Sequence, residues 1–174
     1  MGDGIMAQDK KFHIFRANDM AKLAEADIMT MVPPTKGIEE MMACVDAGLP
    51  DGTASQVIFS GFGLSLVRVW FKKHFPLPLH SHDADCVYYI IAGGVKLGTE
   101  ELGPGDGFFI PAGVPYTYRP GAQGVELIEV RNSAQFDYRE RSTAAFWKKA
   151  LKTVQENHSD WVQSDPANTL MLRQ

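Results

Sequence analysis

The stretch from Pro76 to Tyr116, PLPLHSHDADCVYYIIAGGVKLGTEELGPGDGFFIPAGVPY, decides how this 174-residue chain is read. It sets His80 and His82 two positions apart, a spacing that in an extended strand turns both imidazoles to one face. Cys86 has the same parity and falls within the strand expected over Leu79–Ala92. Gly93-Gly94 follows, then a short strand at Val95–Gly98, then a tight turn within Leu102–Gly107 ahead of Phe108-Phe109-Ile110. Pro111-Ala112-Gly113 ends that strand, and Val114–Tyr118 comes next, with Tyr116 and Tyr118 on one face.

On either side of this stretch, short apolar runs separated by turns predict an all-β fold from Ser55 onward. Gln56–Gly61, Leu64–Lys72 and Val125–Arg131 are the clearest flanking strands. In the second, Leu64, Leu66, Arg68 and Trp70 share one face, and Ser65, Val67, Val69 and Phe71 share the other. Arg68 has two readings, a binder of a substrate carboxylate or a peripheral ion pair, the second being the commoner. His74 is an outside candidate for a ligand, because two prolines between it and His80 break strand register. Upstream, Phe12–Phe15 predicts a short strand with His13 on its surface, and Asn18 or Asp19 a cap for a helix over Met20–Ala26. Ile28–Val32 predicts a strand stopped by Pro33-Pro34. Ile38, Met41, Met42 and Val45 fall at helical spacing within Thr35–Ala47, a segment that otherwise reads as an extended arm; Cys44 is a buried small side chain in that stripe. Downstream, Ser142 caps a predicted helix from Thr143 to Asn157, and Trp161–Gln174 reads as a peripheral tail.

A composition of 45% hydrophobic and 22% charged residues suits one globular domain. A net charge of −4 with no Lys/Arg cluster argues against nucleic acid or an anionic membrane as a partner. The longest apolar run, Val87–Ala92, is far too short to cross a bilayer, and the first 16 residues lack the apolar segment of a secretory signal. With only Cys44 and Cys86, far apart in sequence, the expectation is a cytoplasmic protein with two reduced thiols.

His80, His82 and Gly93, followed by Gly105, Pro111 and Gly113, resemble the paired motifs of the cupin family. The resemblance implies a single cupin barrel, all-β and jelly-roll-like as in RmlC, over residues 55–138. It leaves residues 1–54 as an N-terminal arm and 139–174 as a C-terminal helix and tail. It also implies a homodimer, with the arm and Leu64–Phe71 as candidate interface. His80 and His82 would be metal ligands, while Cys86 stands at the family's glutamate position and Tyr116 at its last histidine. A Cys86 thiolate would bind iron or zinc; a buried neutral thiol would be inert. A phenol such as Tyr116 is a poor ligand for divalent ions at neutral pH. Asp83 and Asp85 have the wrong parity for that face and read as outer-side or entrance-loop residues.

Three functions follow from the resemblance. The first is a small-molecule-binding cupin with a depleted two-histidine site for Fe, Zn, Ni or Mn, the metal weak or absent, with dioxygenase- or isomerase-type activity and no organic cofactor. The second is a metal-free acid/base isomerase, similar to the sugar-nucleotide epimerases, with His80 or His82 as base and Tyr116 as acid. The third is a non-catalytic pocket lined by Tyr88, Phe108, Phe109, Tyr116, Tyr118 and Trp70.

Overall fold

The computed structural model describes residues 12–164. In chain order its elements are β1 (Ala21–Lys22), β2 (Met29–Val32), α1 (Ile38–Asp46), β3 (Thr53–Gly61), β4 (Leu64–Phe71) and β5 (His80–Ser81). There follow β6 (Cys86–Leu97), β7 (Glu100–Leu102), β8 (Gly107–Ile110), β9 (Arg119–Arg131), β10 (Phe136–Glu140) and α2 (Ala144–Gln163). A large antiparallel sheet runs β1-β3-β4-β9-β6-β7, with β8 also on β6. A small sheet runs β2-β10-β5, and its β2–β10 pair is parallel.

Period-two alternation fixes which side chains the large sheet turns inward. Ser65, Val67 and Val69 of β4 lie opposite Arg131, Glu129 and Leu127 of β9, which lie opposite Cys86, Tyr88 and Ile90 of β6. All nine are buried. The outward residues Leu64, Val87, Tyr89 and Phe109 are exposed.

The two motif segments are joined through the main chain. His80 and Tyr116 exchange hydrogen bonds, His80 N to Tyr116 O at 3.1 Å and Tyr116 N to His80 O at 2.9 Å. Gly113 N donates to His82 O at 2.7 Å from a turn in which Gly113 holds φ +77°. Gly93 sits at a register shift of the β6–β9 ladder with φ +70°, and a Cβ there would lie 2.1 Å from Gly124 O. The motif glycines and the Pro-x-Gly turn are thus backbone requirements.

Several sequence expectations need correction. Leu79–Ala92 is two strands: β5 belongs to the small sheet, and the chain then crosses to enter the large sheet at Cys86. The parity shared by Cys86 and the histidines therefore does not put them on one strand face. Asp83 and Asp85 secure the crossing. Asp83 Oδ1 accepts from Asp137 N at 2.8 Å, and the Asp85 carboxylate accepts from Ala112 N at 2.9 Å and Asn132 Nδ2 at 3.0 Å.

Met20–Ala26 is not a helix, because the edge of β3 captures Ala21–Lys22 as a strand between two 3-10 turns. Phe12–Phe15 forms no strand. Ile38–Asp46 takes the helical alternative, with Cys44 fully buried and its thiol donating to Trp147 O at 3.3 Å. Thr143, not Ser142, caps α2 by accepting from Phe146 N; the Ser142 hydroxyl instead accepts from Leu79 N at 2.9 Å. Trp161 is not peripheral. It is wholly buried in α2, with its indole N–H donating to Lys73 O at 2.9 Å. The rest of the expected tail, 165–174, lies outside the described residues. Among the described residues no helix is long and apolar enough to cross a membrane.

Replacing Gly93 with alanine is expected to cost on the order of 3 kcal/mol or more, since left-handed strain and a main-chain clash add. Gly63→Ala, at φ +79° with nothing within 4 Å, is expected to cost about 1 kcal/mol. Urea unfolding of the two variants checks the contrast.

Candidate functional site

His80 and His82 emerge from β5 nearly buried, with ring centroids 5.1 Å apart. His80 Nδ1 lies 2.8 Å from Pro78 O, and His82 Nδ1 lies 2.6 Å from Asp137 O. A carbonyl only accepts, so each Nδ1 carries the proton and Nε2 is the bare acceptor of each neutral ring. Burial first, and the Arg131 cation in addition, pull the pKa down to about 4 for His80 and about 3 for His82. Both rings are neutral bases at pH 7.

The partners of the pair are phenols. Tyr116 lies beside His80, ring centroids 4.4 Å apart, and its hydroxyl is hydrogen-bonded to that of Tyr88. Tyr138, from β10, stacks on the other side of His80 at 4.9 Å with planes 18° apart. Burial raises the pKa of all three phenols, reinforced by the Glu129 charge at Tyr88 and Tyr116 and by Glu140 at Tyr138. They are proton donors, not phenolates.

Cys86, first residue of β6, has its thiol pushed up to about 12 by burial and by Glu129, against an opposing effect of Arg131. It is a neutral thiol in this environment.

Sequence reasoning missed a buried ion pair. Arg131 Nη2 donates to Glu129 Oε2 at 2.7 Å, and the guanidinium lies 4.0 Å over the Phe136 ring. The signal was available, since Glu129 and Arg131 continue the parity of Val125 and Leu127 within VELIEVR. Arg68 lies on the opposite face of the sheet, where it pairs with Glu126 and donates to Gln56 Oε1 at 3.2 Å. It forms an ion pair, as the commoner reading expects, but a buried one and not a peripheral one. His74, at φ +58°, lines a separate groove beside Lys96 and Arg119.

A cavity of about 510 Å³ is bounded by His80, His82, Glu129, Arg131 and Tyr138 together with apolar side chains from the arm, among them Met31, Pro33, Met41 and Val45. Of the aromatic residues expected to line a pocket, Trp70 and Phe109 face outward; Phe109 is 55% exposed. Tyr88, Phe108, Tyr116 and Tyr118 form a stacked aromatic core, with Tyr88 and Phe108 4.6 Å apart.

The family's metal can be tested against these donors. The shared tautomer of His80 and His82 fits two ligand positions, because an Nδ1–H held by a carbonyl is the usual support of an Nε2 ligand. The other two positions do not fit: Cys86 and Tyr116 are neutral, and Tyr116 is engaged by Tyr88. Among the described residues no three His, Cys, Asp or Glu side chains converge as a metal-holding group.

The buried histidines make stability pH-dependent. The unfolded chain takes up their protons near pH 6.5 and the folded chain only near 4 and 3, so their contribution is complete above pH 6.5 and declines as pH falls toward 4. The loss expected from His80 alone is on the order of 3 kcal/mol. A His80→Gln, His82→Gln variant is expected to show a flatter melting-temperature profile between pH 6.5 and 4 than the unaltered protein.

No protein-family model matches the chain, and no curated protein matches it. Among solved structures, an RmlC-like cupin from Shewanella frigidimarina NCIMB 400 is 27% identical over 47% of this chain and 76% of its own, with a TM-score of 0.42. Oxalate decarboxylase from Bacillus subtilis is 19% identical over 48% of this chain, with a TM-score of 0.42; the match spans 25% of the decarboxylase chain. KdgF from Halomonas sp. is 21% identical over 52% of this chain and 82% of its own, with a TM-score of 0.40. Both motif frames are seated on β-sheets and joined at His80 and Tyr116, an arrangement in keeping with the resemblance of the sequence to the cupin family.

Proposed function

We propose that this cupin binds a small organic molecule in the cavity beside β5 and moves a proton on it, as an isomerase-type acid/base catalyst. The observation that carries the reading is the locked tautomer of His80 and His82: two neutral imidazoles, each with a bare Nε2, that both line one cavity. Either Nε2 takes a proton from a carbon or oxygen of the ligand. A neutral phenol returns one, and two phenols flank His80: Tyr116, expected from the motif frame, and Tyr138, which lines the cavity. In this scheme Tyr88 positions Tyr116 through their hydroxyl contact.

A second reading keeps a weakly held divalent ion on His80 and His82, favoured by the same tautomer. The two readings separate in one experiment. A panel of small hydroxy- and oxo-acids is incubated with the protein in D2O plus EDTA, and deuterium incorporation at carbon is followed by NMR. Incorporation that persists with EDTA and is lost in His80→Gln, His82→Gln is expected. Incorporation appearing only after Fe(II) is added, or none across the panel, would overturn the acid/base reading. Tyr138→Phe and Tyr116→Phe then identify the acid, the correct one lowering the rate on the order of a hundredfold or more.

The homodimer belongs to the same proposal. Outward Val87 lies opposite both Phe109 and Val130 in the ladders, an exposed apolar row suited to a second copy. Light scattering is expected to give twice the chain mass, and Val87→Glu with Phe109→Glu to give a monomer.

A further inference from the structure

We infer that the ligand of this cavity is a monocarboxylate with an apolar body, its carboxylate held by Arg131 and its body packed against β2 and α1. The inference rests on the reading of the cavity as a small-molecule site and names the class of molecule it takes.

Arg131 lines the cavity and is 2% exposed. Nη2 of its guanidinium donates to Glu129 Oε2 at 2.7 Å; Nε and Nη1 are buried and have no hydrogen-bond partner among the described residues. Ser65, which faces the same interior from β4 directly opposite Arg131, also has a buried hydroxyl with no partner among them. Leaving such donors unmet costs about 1–3 kcal/mol each, so the site suits an acceptor that the described residues do not supply. Phe136 stacks on the guanidinium face and leaves the in-plane N–H groups as the available donors.

Charge limits the class without selecting it: Glu129 already offsets Arg131 and Glu140 also lines the cavity, so a dianion such as a phosphomonoester is disfavoured and one negative charge, set on the unmet guanidinium N–H groups, is the most the site takes. A carboxylate is a monoanion whose two planar oxygens match guanidinium N–H groups. The wall away from Arg131 is mostly apolar, with Pro33 and Pro34 after β2, Met41 and Val45 of α1, and Phe71 and Leu77, and its polar side chains there are few, Thr53, Ser55 and Glu140 among them. A polar body such as a sugar would leave most of its hydroxyls unpaired there.

Isothermal titration of the full-length protein with octanoate, octanamide and acetate tests the proposal. Octanoate is expected to bind at least tenfold more tightly than octanamide, which has the same body and no charge, and than acetate, which has the charge and no body. Glu129→Gln, which still accepts from Arg131 but no longer opposes an anion, is expected to bind octanoate more tightly. Arg131→Lys is expected to bind it at least tenfold more weakly. Equal binding of octanoate and octanamide would overturn the carboxylate assignment while leaving the small-molecule cavity standing, the donors then being met by buried water. Acetate binding as tightly as octanoate would overturn the apolar body. No heat from any of the three, with no shift in melting temperature, would remove both the assignment and the cavity reading. The variant arm fails if Glu129→Gln, folded by circular dichroism, binds octanoate no better than the unaltered protein.

Discussion

A guanidinium in the protein interior is the constraint to which the rest of the site answers. Arg131 sits at the inward end of β9, opposite Cys86 on one side and Ser65 on the other. A cation in that position is tolerable only with a counter-charge, and Glu129, two residues earlier on the same strand face, supplies it. The pair then governs its neighbours. Arg131 adds to desolvation in keeping both histidines unprotonated, and Glu129 adds to desolvation in keeping Tyr88, Tyr116 and Cys86 protonated. Bare imidazoles and intact phenols stand side by side because burial disfavours the charged form of each, with Arg131 reinforcing that at the histidines and Glu129 at Tyr88 and Tyr116.

The same pair bears on the departures from the family's ligand pattern. A metal ion at His80 and His82 would be another cation close to a buried guanidinium, with neutral side chains where anionic or imidazole ligands are expected. His-His-Cys-Tyr in place of His-His-Glu-His is consistent with a site whose positive charge belongs to the protein.

The turn-forming residues made the fold legible in the sequence. Gly93 and the Pro111–Gly113 turn are spaced as the two-motif frame requires, and the structure gives each a backbone reason. The histidine pair was legible for the same reason. Local parity misled where the chain changes sheets: nothing in HSHDADC announces that His80 and Cys86 lie in different ladders, because Asp83 and Asp85 mark the crossing through contacts with residues far along the chain. Arg68 drew notice as a lone charge in an apolar strand, yet it faces outward; Arg131, the inward charge, stood at a strand end where charges are ordinary. The capture of Ala21–Lys22 by an open sheet edge overrode a local helix signal. The cavity wall from β2 and α1 was not legible, since its apolar residues read equally well as core.

The parallel pairing of β2 with β10 has a consequence for how the protein folds. It sets Met29 opposite Phe136, and the small sheet is complete only when these distant segments meet. The ladders β3–β4–β9 and β6–β8 join residues closer in sequence and close smaller loops. By the entropy of loop closure, the ladders of the large sheet and the β5–β10 pair can condense first, while β2 and the covering arm join β10 last. Read in reverse, the arm and β2 are the first elements to detach. Their detachment would uncover the cavity while leaving the large sheet and the buried Glu129–Arg131 pair in place.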